Sequence, residues 1–95
     1  MSTLTTSIAL PAVLMQAQAQ SVADGLVVAL TTQLAQGGEA VLDASALEQF
    51  DSSALAVVLA CRRAALAKGA QLRITGLPER AQALAKVYGL SDLLH

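Results

Sequence analysis

Hydrophobic and polar positions alternate and recur along the chain in three successive strand-then-helix units. Residues 4–14 place Leu4, Ile8, Leu10 and Leu14 at one strand parity, with Thr6 and Ala12 between them. Pro11 has no N–H to donate, so this segment is predicted as an edge or bulged strand. From Met15 to Gln36 the period lengthens, and Val22, Leu26, Ala29, Leu30 and Leu34 trace one helical stripe. Asp24-Gly25 weakens that helix or marks its true start, and Gly37-Gly38 stops it.

Residues 39–45, Glu-Ala-Val-Leu-Asp-Ala-Ser, read as a short strand without clean alternation, the pattern of a strand covered on both faces. Ala46 to Phe50 is predicted as a loop. Asp51-Ser52-Ser53 supplies capping residues for a helix over Ala54–Lys68, with Leu55, Val58, Leu59 and Leu66 as its inner stripe and Gly69 as its stop. Gln71–Thr75 alternates with Leu72 and Ile74 inward. Pro78 opens a last helix, in which Ala81, Leu84, Ala85 and Tyr88 face the core and Gly89 caps. Ser91 to Leu94 add a final turn. This order predicts a small α/β domain with parallel strands joined by right-handed crossovers.

Composition sharpens the pattern. Ninety-five residues, numbered 1–95, make a single domain. The mean hydropathy of +0.57 raises the question of a membrane span. Alanine and leucine account for it, at 20 and 17 residues, and no stretch reaches the ~18 unbroken apolar residues a span requires. Ile8 to Met15 followed by Ala17-Gln18-Ala19 imitates a secretory leader. However, residues 1–7 carry no positive charge and Pro11 interrupts the run, so a cytoplasmic chain is expected. The charges are segregated: residues 1–61 hold five acids and no base, whereas residues 62–95 hold six bases and two acids. Two-faced charge suits docking to a protein, and a solvated helical face is the alternative. Scattered bases with one Tyr and one Phe make a poor nucleic-acid footprint.

The same composition removes most chemistries. One Cys, Cys61, and one His, His95, allow no intramolecular disulfide and no zinc site of Cys and His ligands. A nucleophile–histidine pair would need the terminal His. Neither enzyme activity nor a cofactor or metal is expected. Cys61 reads as a packed small residue and Tyr88 as a core anchor. Leu93-Leu94 fits either a core cap or an exposed docking patch.

One constellation remains. Val41 to Leu55 runs from a strand through a loop into a helix start carrying Asp51, Ser52 and Ser53. Free N–H groups and the helix dipole favour negative charge there, so a phosphate on Ser52 could be held, although Asp51 would repel it. The plainer reading is that Asp51 or Ser52 caps the helix.

This segment resembles the signature of STAS domains, the family of anti-sigma-factor antagonists and sulfate-transporter tails. Asp51-Ser52-Ser53-Ala54-Leu55 matches its helix-opening motif, with Ala54 where many switch-type members have Gly. Leu72-Arg73-Ile74-Thr75-Gly76 and Leu84-Ala85-Lys86-Val87-Tyr88-Gly89-Leu90 continue the likeness. The ending is similar to one branch, the small cytoplasmic STAS subunit of the bacterial Mla phospholipid-transport ABC complex. The resemblance implies a STAS fold: a small mixed or parallel sheet of three to four strands with helices mainly on one face. Its usual N-terminal hairpin would be shortened, absent, or folded tightly around Pro11.

The resemblance further implies a non-catalytic subunit, cytoplasmic and peripheral on an inner-membrane complex. It would dock on an ABC-transporter ATPase and serve outer-membrane lipid asymmetry. The implied contact comprises Asp51, Ser52 and Ser53 with Ala56, Ala60, Arg62 and Arg63 of the following helix. The alternative implication is a signalling switch in which an anti-sigma kinase phosphorylates Ser52.

Overall fold

The computed structural model describes residues 5–33 and 38–89. Its elements run β1 (Thr5–Ala9), β2 (Val13–Leu14), α1 (Gln16–Gln33), β3 (Glu39–Asp43), β4 (Gln49–Phe50), α2 (Ser53–Ala67), β5 (Gln71–Thr75) and α3 (Glu79–Val87). The main sheet has strand order β1-β3-β5, and both of its pairings are parallel. A separate two-residue parallel ladder joins β2 to β4. The fold is therefore α/β, as the strand–helix alternation requires.

Pro11 divides the predicted first strand. The ladder of β1 extends one residue further, through Leu10 N–H to the Asp43 carbonyl, and then stops where proline has no donor. The chain resumes as β2 in the other ladder, pairing with Gln49 and Phe50. Thus β1 and β2 do not pair with each other, and no tight hairpin forms around Pro11. Residues 46–50, expected as a loop, contain β4.

Burial in β3 alternates. Ala40 and Leu42 are fully buried, whereas Glu39, Val41 and Asp43 are half-buried. In register beside them, Leu72 and Ile74 point inward while Gln71, Arg73 and Thr75 are exposed. The expected cover on both faces of β3 is absent among the described residues. The helices pack on one face, and the other carries polar side chains, including an ion pair between Arg73 Nε and Glu39 Oε2 at 3.2 Å. Polar side chains let this parallel sheet meet water on its open face.

The core lies between the inner sheet face and α1 and α2, with Leu10, Leu14, Leu26, Leu30, Leu42 and Val57 among its members. α1 runs unbroken through Asp24-Gly25 and buries Leu26 and Leu30, while Val22 and Ala29 are half-buried. Leu34 lies outside the described residues. α2 buries Ala54, Leu55, Val57, Val58, Cys61 and Ala65. Leu66, expected inside, is 57% exposed. Gly69, with φ of +67°, ends α2 where predicted, and the Ala70 N–H donates to the Ala65 carbonyl.

α3 buries Ala81 and Ala85 and half-buries Leu84. Tyr88 is 56% exposed and anchors no core: it lies past the last helical residue, where the chain turns into Gly89 at φ +73°. Leu90 and the predicted turn over Ser91–Leu94 lie outside the described residues, as does His95.

Candidate functional site

The site forms at the carboxyl ends of the parallel strands, where the β4–α2 junction meets the start of α1. α1 has no acid in its own first turn. Asp51 supplies one from elsewhere in the chain. Its Oδ2 accepts the Gln16 N–H at 3.2 Å, and its Oδ1 accepts the Ser53 N–H at 2.8 Å. One carboxylate therefore satisfies backbone donors at two helix starts, where N–H groups otherwise lack intrahelical partners. Gln18 completes the α1 start, its Oε1 accepting the Met15 N–H at 3.2 Å. The Ser53 N–H holds the Asp51 carboxyl below its ordinary value, against an opposing effect of desolvation; the Gln16 N–H and the Ser53 hydroxyl lower it further.

This arrangement separates the two hydroxyls that the sequence treats alike. Ser53 is half-buried and bonded to Asp51. Ser52 stands at the cap position, exposed, with φ −62° and ψ −17°, and its side chain makes no capping bond. Of the two capping alternatives, Asp51 is the one realised. The Ser52 hydroxyl is free of any structural task at this helix start.

Because Ser52 already has helical backbone angles, its side chain falls in line with α2. Residues of an α-helix follow one another at about 100°, so Ser52, Ala56, Arg63 and Leu66 share a stripe roughly 80° wide. All four are exposed. Half-buried Leu59 lies within the stripe, and half-buried Ala60 and Arg62 flank it. The expected contact residues on α2 thus share one side of the helix, except Ser53, which turns toward Asp51. Leu66 belongs to this stripe and was missed, because its hydrophobicity argued for the core.

The Arg80 guanidinium lies 5.0 Å from the centroid of the Phe50 ring, so α3 contributes a base next to the β4–α2 junction. Asp43 also sits at this end of the sheet. The Ser45 hydroxyl and then the Ser45 N–H hold its carboxyl below the ordinary value. Cys61 occupies the opposite side of α2, fully buried, and desolvation pushes its thiol up to about 11. It is a protonated packing residue at neutral pH. Among the described residues no cluster of three or more His, Cys, Asp or Glu could hold a metal, and no helix is long and apolar enough to cross a membrane.

A family model described as "Mlab, STAS domain" matches residues 5–95. That span covers the strand units, the Asp51-Ser52-Ser53 helix start and α3. The chain belongs to the STAS domain family. No curated protein matches it.

Proposed function

We propose that the chain is a non-catalytic docking subunit. It binds the ATPase of an Mla-type phospholipid-transport ABC complex on the cytoplasmic side of the inner membrane and supports that complex's assembly or activity. Its role would be the maintenance of outer-membrane lipid asymmetry. The observation that carries this reading is the outward stripe of α2. A solvated helix normally presents charged residues outward, but here Ser52, Ala56, Leu59 and Leu66 accompany the single charge of Arg63. Small side chains at Ser52 and Ala56 permit close approach of a partner backbone. Asp51 fixes the angle at which the stripe begins.

Ser52→Trp places a bulky ring at the head of the stripe. Co-purification of the chain with the ATPase subunit from the same cell is expected to drop at least tenfold, with the thermal midpoint unchanged. Unaltered co-purification would sink this placement.

The free Ser52 hydroxyl also suits a phosphorylation switch driven by an anti-sigma kinase. Against that reading, the Ser53 and Gln16 N–H groups that would receive a phosphate already hold the Asp51 carboxylate. Like charge beside Ser52 disfavours the modified state. Intact-mass measurement after incubation with such a kinase separates the two: a phosphate on Ser52 supports the switch, and an unmodified mass leaves docking.

A further inference from the structure

Two apolar side chains are exposed where α1 begins. Val13 is 37% and Met15 38% exposed, although their neighbour Leu14 is completely buried. Met15 and Gln16 line a shallow hollow with Asp51, one residue before Ser52. The hydrogen bond from the Gln16 N–H to Asp51 joins this patch to the α2 start. Across the β2–β4 ladder Val13 pairs with Gln49, and the exposed Glu48 precedes Gln49 in the chain, its N–H donating to the Ala12 carbonyl at 2.8 Å. The patch thus has Val13 and Met15 at its centre, Asp51 in the lining of its hollow and Glu48 next in the chain to the ladder partner of Val13.

We infer that the docking surface continues from Ser52 across the start of α1. There, Met15 and Val13 receive an apolar side chain of the partner, and Glu48 and Asp51 meet lysine or arginine flanking it. The inference rests on the ATPase-docking reading and specifies the partner surface that reading requires. Charge complementarity selects the occupant: an acidic partner would face repulsion from both carboxylates, and a purely apolar one would leave them desolvated and unpaired. The apolar centre places binding strength in contact area, and the acidic rim makes association sensitive to salt.

The test measures equilibrium binding of the full chain to the purified ATPase subunit at low and high salt. Four variants are compared with the parent: Met15→Lys, Glu48→Lys, Ser52→Trp and Gln71→Lys. Gln71 is exposed on the open sheet face, away from the helices, and serves as the control for added charge. Met15→Lys is expected to weaken binding at least tenfold at both salt concentrations. Glu48→Lys should weaken it about tenfold at low salt and less at high salt. Gln71→Lys should bind like the parent. Thermal melts of all variants should match, because the substituted side chains are exposed.

Ser52→Trp separates this inference from the reading beneath it. Loss of binding by Ser52→Trp with parental affinity in Met15→Lys and Glu48→Lys overturns the extended surface and leaves the docking reading standing. Tighter binding by Glu48→Lys overturns the basic partner. No binding by the parent chain overturns both.

Discussion

Asp51 accepts from Ser53 and Gln16 through different oxygens, so neutralising it should be felt at two helices. Its folded-state pKa lies below the ordinary 3.8. A depressed carboxyl contributes stability that is present above the unfolded value and lost as pH falls through the folded one. Asp51→Asn should therefore be less stable than the parent at neutral pH, and the gap should close below pH 3.8 as Asp51 itself becomes protonated. Denaturant titrations at pH 7 and near pH 3 check this. An equal gap at both would show that the negative charge is not what holds the junction. At this scale the sequence exposed the Asp-Ser-Ser motif but not the division of labour within it. The bond by which Asp51 also serves α1 comes from Gln16, 35 positions away, and a local reading cannot see it. Cys61 was legible, because a small apolar side chain inside a helical stripe is ordinarily packed.

At the scale of elements, α1, α2, β5 and α3 follow from period and punctuation, whereas alanine blurs the faces. α2 has apolar residues all around its circumference, so the expected stripe finds Leu55 and Val58 buried and Leu59 half-buried, but misses Ala54, Val57, Cys61 and Ala65 and wrongly includes Leu66. Only packing against the sheet and α1 selects the buried face, and that selection leaves Leu66 outward. Small apolar residues hide the alternation of β3 in the same way. The ladder of β2 and β4 has no sequence signature, since two residues per strand cannot display a period. α1 shows local preference yielding to tertiary burial. Gly25 sits within the helix, exposed, and an added Cβ meets no atom within 4 Å. Gly25→Ala should therefore stabilise the chain by about 0.5–1 kcal/mol, from the lower backbone entropy of the unfolded state and better helix propensity. In a domain of this size that corresponds to a rise of roughly 2–8 °C in Tm, readable by circular dichroism. An unchanged or lower Tm would mean that the outer side of α1 at Gly25 is not open.

For the whole molecule, parallel topology converts order along the chain into position in space. Each strand of the main sheet ends at the same side, so the turns after β1, β3 and β5 gather there with the starts of all three helices. Asp43, Glu48, Asp51 and Glu79 lie on those turns and helix starts, whereas Lys68 and Lys86 lie at the far ends of α2 and α3. The segregation of charge along the chain therefore becomes a polarity of the domain. Arg80, the second residue of α3 and 5.0 Å from the Phe50 ring centroid, and Glu39, at the opposite end of β3, are exceptions. The gathered turns also depend on one another. Ala44 N–H donates to the Thr75 carbonyl at 2.8 Å, bringing the β3–β4 turn against the β5–α3 turn. Gly76 makes that approach possible. Its φ is +68°, and a Cβ there would lie 3.0 Å from Ser45 Cβ and 3.1 Å from Ser45 Cα and N. Gly76→Ala meets both a left-handed backbone and a tight contact with Ser45, so it should cost ~1–2 kcal/mol from the backbone term alone. Thermal melts should show a drop of roughly 4–16 °C. Adding Ser45→Gly removes the clash with Ser45 Cβ but not that with its backbone, so the double variant should recover only part of the loss. Full recovery would place the whole cost in the side-chain contact, and no loss in Gly76→Ala would mean that the two turns do not meet this tightly.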